Sequence, residues 1–277
     1  MSNQNKIIIL NRNNLDNNNG LKNRYIFKFS NSQRLKGQIS LSSIVMPYST
    51  PNIILFKNSS FTIKYNNIET LFNIPTGFYT ITSLNNYLQY IQKQTSNNIP
   101  YNIVNGVDEF FINILYNTTY YSVELRINPC KLNGAIAGKV GSIYTNNTPQ
   151  IRFNDDLNKI VGFPLNTYLP SSIQSVPYTS ISKDFNLIPN LSPSNVYNLQ
   201  CNLVNNNISI PSNVLYSFTP NTIYGSNINE KPNQLLYLNI IEGNYQSLII
   251  EFFDELNNQL LILDENIIIT LYLNLVE

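Results

Sequence analysis

Apolar and polar positions alternate along most of the chain, and the pattern is most regular near its end. Over residues 248–253 and 267–276 every second side chain is apolar, while Thr270, Tyr272 and Asn274 occupy the intervening positions. A period of two is typical of a strand with one face on a core. We therefore predict that these strands contribute one shared set of core residues, namely Leu248, Ile250, Phe252, Ile269, Leu271 and Leu273.

The same pattern predicts about ten strands in all, separated by turns rich in Asn, Asp, Ser and Pro. Residues 53–56 and 61–65 flank the segment Lys57-Asn58-Ser59-Ser60 and are predicted to pair as a hairpin. The other predicted strands are residues 25–29, 38–46, 110–116, 121–127, 196–204, 214–218, 234–241 and 259–263.

Helical periodicity is convincing in one place. Following a cap at Thr82 or Ser83, apolar side chains recur at the spacing of one helix face, at Leu84, Tyr87, Leu88 and Ile91. A shorter helix is predicted over residues 155–163, packed by Leu157, Ile160 and Phe163. With many strands, one clear helix and no alternation of strand and helix, the residues indicate an all-β antiparallel sandwich or barrel.

Two segments depart from this pattern. Residues 1–22 combine one apolar tetrad, residues 7–10, with a run of Asn, and we predict a flexible N-terminal arm that orders only against a neighbour. Residues 131–194 lose regular periodicity and contain many Gly and Pro, which predicts long irregular loops. We expect residues 23–277 to form a single domain in which this loop-rich region is either an inserted subdomain or a set of loops spread around the fold.

Composition excludes several kinds of function. The chain contains no His, which removes His-based triads, general bases and metal ligands. A net charge of +1 gives no electrostatic footprint for nucleic acid or an anionic membrane. No stretch approaches the ~20 apolar residues of a membrane span. The two cysteines, Cys130 and Cys201, are predicted to be buried free thiols.

Carboxylates are the remaining candidates for chemistry. Three pairs, Asp155-Asp156, Asp254-Glu255 and Asp264-Glu265, suggest either glycoside hydrolysis or Ca²⁺ binding, but all lie at or beside predicted turns. Turn formation is the plainer interpretation of acidic residues in such places. We therefore predict no catalytic residue, no cofactor-binding residue and no metal site, and no enzymatic activity.

Several local motifs, taken in their order along the chain, resemble a known family. They are Ser43-Ile44-Val45-Met46-Pro47 followed by Asn52-Ile53, Ile74-Pro75-Thr76-Gly77-Phe78-Tyr79-Thr80 leading to Leu84 and Leu88, Ile160-Val161-Gly162-Phe163, Val196-Tyr197 through Cys201-Asn202-Leu203-Val204, and Ile249-Ile250-Glu251-Phe252-Phe253-Asp254 through Leu271-Tyr272-Leu273. Over residues 24–277 this order resembles the single jelly-roll minor capsid (penton) proteins of Polinton/Maverick elements, adintoviruses and virophages.

Two departures from the family pattern concern turns. Val161-Gly162-Phe163 replaces the usual Leu-Gly-Phe, and the turn after Asp254 has Asn257-Asn258 where the family has Gly. Since Asn can adopt the left-handed conformation that Gly adopts, the second departure keeps the turn possible.

The resemblance implies a single jelly roll with one short helix and long loops. It also implies a structural protein of the virion, assembled inside the host cell, that forms homopentamers at icosahedral vertices. The implied partners are trimers of a double jelly-roll major capsid protein and other minor capsid proteins. An alternative is a receptor- or glycan-binding β-sandwich such as a fibre head, which would place aromatic residues on exposed loops.

Overall fold

A computed structural model describes residues 3–16, 20–94, 99, 101–104, 106–130, 147–154, 156–190, 196–207 and 209–276. The chain divides into two compact units. Unit 1 comprises Met1–Pro51 and Ser194–Glu277, and unit 2 comprises Asn52–Pro193. Unit 2 is therefore an insertion, in sequence, between the third and fourth strands of unit 1.

The elements of the described residues follow in chain order. Before the insertion come β1 (Asn3–Leu10), β2 (Arg24–Leu35) and β3 (Gly37–Pro47). The insertion holds β4 (Ser60–Tyr65), β5 (Ile68–Asn73), α1 (Ile81–Lys93), β6 (Tyr101–Val104), β7 (Val107–Phe110), β8 (Ile112–Asn117), β9 (Ser122–Ile127), β10 (Gln150–Phe153), α2 (Leu157–Val161) and β11 (Tyr178–Ile181). After it come β12 (Tyr197–Cys201), β13 (Val214–Phe218), β14 (Asn227–Glu230), β15 (Leu238–Asn239), β16 (Gly243–Phe253) and β17 (Ile268–Val276).

Unit 1 is an antiparallel sandwich. Its first sheet has the order β1-β17-β3-β14, with β15 also paired to β3, and its second sheet has the order β13-β12-β16-β2. If the eight strands other than β15 are counted in chain order, the two sheets read 1-8-3-6 and 5-4-7-2. This nesting of early strands beside late ones is the strand order of a jelly roll. The predicted all-β sandwich is confirmed.

The core of unit 1 lies between these sheets. Every second side chain of β16 and β17 points into it, so the alternation in the sequence corresponds to an inner and an outer face. All six predicted core residues belong to one buried cluster, which confirms that prediction; they are Leu248, Ile250, Phe252, Ile269, Leu271 and Leu273.

The prediction of a flexible arm over residues 1–22 is wrong for its first half. Strand β1 pairs with β17 from Asn3 opposite Val276 to Leu10 opposite Ile269, and Ile8 and Leu10 are buried in the core. Composition alone misled here, because a short apolar segment becomes ordered when a long neighbouring strand offers it a hydrogen-bond ladder and a core. Residues 1–2 and 17–19 lie outside the described residues.

Unit 2 contains three small antiparallel sheets, β10-β4-β5, β11-β9-β8 and β6-β7. The predicted hairpin of residues 53–56 with 61–65 is wrong. Strand β4 pairs instead with β5, across a turn at Asn66 and Asn67 whose φ angles are 50° and 61°. Two consecutive left-handed residues match the twist of a tight hairpin, and Asn tolerates that conformation well.

Both predicted helices are present in unit 2. Helix α1 buries Leu84, Leu88 and Ile91, as the periodicity predicted, but its cap is Thr80 rather than Thr82 or Ser83. The Thr80 hydroxyl accepts a hydrogen bond from the Ser83 amide at 3.1 Å, which satisfies one of the free donors at the helix start.

Helix α2 lies within the predicted short helix, and the residues expected to pack it, Leu157, Ile160 and Phe163, are all buried. The expectation of loops over residues 131–194 is met only in part, since this range also contributes strands β10 and β11. Residues 131–146 and 191–195 lie outside the described residues.

Candidate interaction surface

The outer side of the first sheet of unit 1 is apolar at its edge. Across the β1–β17 ladder Ile7 lies opposite Tyr272, and Ile9 lies opposite Thr270. The two isoleucines are 59% and 56% exposed. With Ile268, which is 47% exposed, these side chains form what we call the outer apolar face, consisting of Ile7, Ile9, Ile268, Thr270 and Tyr272. The tetrad of residues 7–10 thus points two side chains into the core and two away from it.

This side of the sheet carries no charge among its described residues. The outward positions of β1, β3, β14 and β17 are filled by amide, hydroxyl, aliphatic, proline and tyrosine side chains, without Asp, Glu, Lys or Arg. Solvent-facing sides of antiparallel sheets ordinarily carry polar and charged residues, since nothing else covers them. This side is therefore polar without being charged, and its exposed isoleucines are gathered at the β1–β17 edge.

Two grooves run beside Ile7. The outer groove has a volume of about 380 Å³ and lies between the sheet and the segment after β14; its lining is Asn5, Ile7, Leu235, Tyr237, Tyr272, Leu273 and Asn274. The edge groove, of about 330 Å³, lies where β1 faces β2; its lining is Lys6, Ile7, Ile8, Phe27, Phe29, Gln33, Leu35, Leu273 and Leu275. Since β1 is the last strand of its sheet, one of its two backbone edges has no strand beside it in the described part of the chain.

Ion pairs bound the outer apolar face at both ends of β1. Near the start of the strand, Glu242 binds Arg34 at 2.6 Å and Lys36 at 3.3 Å. The Arg34 hydrogen bond, followed by that of Lys36, lowers the pKa of this carboxyl group. Beyond the end of the strand, Glu265 binds Arg12 at 2.5 Å and Lys22 at 3.5 Å.

Two of the three carboxylate pairs each contribute an Asp that stabilises a turn. Asp254 accepts hydrogen bonds from the backbone amides of Leu256 and Asn258 at 2.9 and 2.7 Å. Asp264 accepts one from the amide of Asn266 at 3.0 Å. Among the described residues, no group of three or more His, Cys, Asp or Glu is arranged to hold a metal ion.

The third pair and the cysteines complete the candidate chemistry. Asp156 binds Lys159 at 2.7 Å, and Asp155 lies outside the described residues. Cys130 and Cys201 are buried free thiols, as predicted. Burial raises the pKa of Cys201 to about 12, so this thiol stays protonated at neutral pH. No helix among the described residues is long and apolar enough to span a membrane.

Unit 2 exposes a group of tyrosines on the β8–β9 hairpin. Tyr116, Tyr120 and Tyr121 are 41%, 50% and 59% exposed, and the rings of Tyr116 and Tyr121 meet edge to face at 6.3 Å. The ammonium of Lys183 lies 4.2 Å from the centre of the Tyr120 ring. A groove of about 240 Å³ beside them has the lining Phe78, Thr80, Ile81, Thr82 and Tyr116.

Sequence analysis identified only half of the outer apolar face. It placed Thr270 and Tyr272 on the side of the last strand opposite the core, and the structure confirms this. It missed Ile7 and Ile9, because residues 7–10 were assigned to an arm. The signal was available, since a short run of four consecutive apolar residues is typical of a strand with apolar side chains on both faces.

Comparisons with known proteins give one named similarity. No protein-family model matches this chain, and no curated protein sequence matches it. Among solved structures, the chain is similar to the crystal structure of the mavirus penton protein. The two share 15% sequence identity with a TM-score of 0.38, over 99% of this chain and 99% of that one.

Proposed function

We propose that this chain is a minor capsid protein of the penton type. In this proposal it forms homopentamers at icosahedral vertices, beside trimers of a double jelly-roll major capsid protein. The observation that carries the proposal is the jelly roll of unit 1 with an uncharged, apolar outer face at one sheet edge. Such a face serves a protein whose function is contact with neighbouring subunits.

The family-like motifs lie on elements that build the fold. Residues 43–47 are the last five residues of β3, residues 196–204 include β12, and residues 249–253 and 271–273 belong to β16 and β17. Three of the five motifs are thus carried by jelly-roll strands, while residues 74–80 and 160–163 lie in unit 2, before α1 and at the end of α2. This supports the proposed relationship, because strand order is what defines a jelly roll.

The two departures from the family motif keep the turn geometry. Asn257 has a φ of 63°, so it adopts the left-handed conformation that the family reaches with Gly. Gly162 is retained with a φ of 75°, and a Cβ there would lie 2.8 Å from the Cβ of Ser182. Both the backbone conformation and the lack of space therefore require glycine at that position.

A structural role fits the disposition of the carboxylates. The oxygens of Asp254 and Asp264 accept hydrogen bonds from amides of their own turns, which leaves them poorly suited to general acid or base catalysis. We propose that the protein acts without catalysis and without a required cofactor.

Electron microscopy of assembled particles tests this function. The expected result is density for this chain at the five-fold vertices, with five copies around each axis. Density at three-fold or six-fold positions, or its absence from every shell, contradicts the proposal. Purified protein that is monomeric in dilute solution does not contradict it, since vertex contacts can depend on the surrounding shell.

A second candidate function, glycan or receptor binding, is favoured by the tyrosines of the β8–β9 hairpin. Aromatic rings at an exposed hairpin tip can stack on the apolar faces of sugars. The test is binding of the purified protein to an array of soluble glycans, comparing Tyr121→Ala with Tyr90→Ala. Both tyrosines are 59% exposed, so selective loss in the first variant supports this function and equal binding by both contradicts a site at the hairpin.

A further inference from the structure

We infer that the outer apolar face and the free edge of β1 form the contact with a neighbouring copy of this chain. This rests on the proposed homopentamer and adds to it the surface that joins its subunits. The first argument is exposure. Ile7 and Ile9 are both more than half exposed in the middle of an edge strand. Proteins usually protect such edges with charges, prolines, bulges or covering loops, because an apolar edge pairs with other chains. Strand β1 carries one such charge, Lys6, which alternation places on the side of the strand opposite to Ile7 and Ile9.

The second argument is the shape around β1. Ile7 lines both the outer groove of about 380 Å³ and the edge groove of about 330 Å³. The edge groove has Phe27 and Phe29 in its wall, so it offers apolar contact as well as backbone groups. Side chains of a partner can therefore enter on both sides of the strand, which gives the interdigitation that protein interfaces require.

The third argument is charge. Phosphate-bearing partners need Lys or Arg, and the outward positions of this sheet have neither among the described residues. The nearby charges are Lys6, which lines the edge groove, and the Glu242 and Glu265 ion-pair groups at the two ends of β1. An uncharged centre with a charged rim is the usual anatomy of a protein–protein interface. With a net charge of +1, two copies approach each other with little repulsion.

The position of the face indicates how copies join. The outer apolar face lies at one edge of the first sheet, whereas the other edge is the short polar strand β14. A contact between this face and a different surface of the next copy is heterologous. Such contacts close into a ring when the rotation from one copy to the next is a whole fraction of a full turn. A pentamer requires this kind of contact, while face-to-face pairing of two β1 strands gives only dimers.

The test compares three forms of the full-length chain. The first is the natural chain, the second is Ile7→Lys/Ile9→Lys, which we call the lysine pair, and the third is Leu256→Lys. Leu256 is 77% exposed in the turn after β16, so the third form controls for adding a lysine to unit 1. Circular dichroism and thermal unfolding first establish that all three fold. A third variant, Ile7→Thr/Ile9→Thr, keeps β-branched side chains on the strand and replaces the lysine-pair variant if the two lysines prevent folding.

Native mass spectrometry and sedimentation then measure association over a range of protein concentrations. We expect pentamers from the natural chain and from Leu256→Lys, and association at least about tenfold weaker in the lysine pair, because two charges would be buried without partners. Hydrogen exchange of the amides of residues 5–10 should slow on association. If the natural chain is monomeric at every concentration, each variant is instead co-expressed with the major capsid protein. The inference is then supported if particles lack the lysine pair but incorporate the natural chain and Leu256→Lys.

The remaining outcomes separate this inference from the proposed function. Pentamers of unchanged affinity in the lysine pair, or equal loss in Leu256→Lys, overturn the assigned contact and leave the penton proposal standing. A two-fold dimer that only the lysine pair abolishes overturns the heterologous contact and the pentamer together. Five-fold density in which β1 faces solvent overturns the inference alone.

Discussion

The two sheets of unit 1 bury similar inner faces but differ on their outer sides. The first sheet has an uncharged outer side, with Ile7 and Ile9 exposed at its edge. The outer side of the second sheet pairs Arg24 with Glu251 across β2 and β16 and also carries Lys28. Ile26 and Ile249 lie between these charges and are half-buried.

This difference does not arise from folding. Both sheets need apolar residues on the inner face and only strand-compatible residues outside, so the fold itself permits charges on either outer side. The second sheet follows the ordinary pattern for a face in water. The first departs from it over the strands nearest the β1 edge, as the proposed contact between copies requires. The predictions below test this comparison.

Deleting residues 1–10 should produce the largest effect. The deletion removes the whole of β1 and exposes the edge of β17 that pairs with it, where Leu271 lies opposite Ile8. Burial of Ile8 and Leu10 alone accounts for about 3–6 kcal/mol, at about 1.5–3 kcal/mol for each side chain. Urea unfolding measures the loss. A melting temperature unchanged by the deletion would show instead that these residues are the dispensable arm suggested by their composition.

Leu271→Ala tests the inner face that both sheets share. Leu271 is fully buried in the cluster between them, so the substitution leaves a cavity and should cost about 2–5 kcal/mol in unfolding free energy. Thr270→Ala, at the adjacent outward position, is the matched control and should cost much less. Equal losses for the two variants would mean that the inner and outer faces have been assigned the wrong way round.

High pH should also lower the stability of unit 1, because tyrosines buried in or beside its core must ionise. Burial, followed by the charges of Glu265 and Asp264, raises the pKa of Tyr25; burial is likewise the main cause of the raised pKa of Tyr197. A raised pKa in the folded state stabilises the fold below the unfolded value of 10, and this contribution is lost as pH rises above 10. Tyr216, with a pKa raised to about 12 by burial and by its hydrogen bond to Glu230, loses its contribution between pH 10 and 12.

Thermal unfolding measured from pH 8 to 12 follows this loss. The expected result is a melting temperature that is level to about pH 10 and then falls, while absorbance shows tyrosinate forming as the protein unfolds. Free ionisation of all tyrosines at pH 10 in the folded protein would contradict the assigned burial of Tyr25 and Tyr197.

Much of the fold could be predicted because its signals are local. The alternation in β16 and β17 depends on successive residues, and it correctly gave the faces of Phe252, Leu271 and Leu273. The period of α1 did the same for Leu84 and Leu88. Each element carries its own periodicity, so one sequence is sufficient for these predictions.

What could not be predicted depends on distant partners. Nothing within residues 3–10 shows that β17, more than 250 residues later, lies beside them. The same reason accounts for the β4–β5 pairing and for the limits of the insertion, Asn52–Pro193. The candidate site was missed for this reason too, since Ile7 and Ile9 become a surface only once Ile8 and Leu10 are recognised as core.

Removing a charge from the outer side of the second sheet should have a smaller effect on unfolding free energy, and this effect should depend on salt. The Arg24 Nε lies 3.8 Å from Glu251 and 3.6 Å from Asp16, and its side chain is 37% exposed. Exposed pairs of this kind contribute about 0–1 kcal/mol, so Glu251→Gln should cost less than about 1 kcal/mol at low salt and less still at high salt. A loss that is large and independent of salt would indicate that this side of the second sheet is not solvated.

The smallest expected effect is on the outer apolar face itself. Ile9→Thr keeps a β-branched side chain on β1 and adds a hydroxyl group at a position that is 56% exposed in the free chain. The unfolding free energy of the monomer should therefore change by no more than about 0.5 kcal/mol. Chemical denaturation of dilute protein makes this measurement, with Ile8→Thr as the control that places a hydroxyl group in the core and should be strongly destabilising.

If Ile9→Thr proves as costly as Ile8→Thr, then Ile9 supports the fold of its own chain, and its exposure no longer distinguishes the two outer sides. If Ile9→Thr is neutral, the isoleucine contributes little to the monomer, and the reason for an apolar residue there must be sought in a partner.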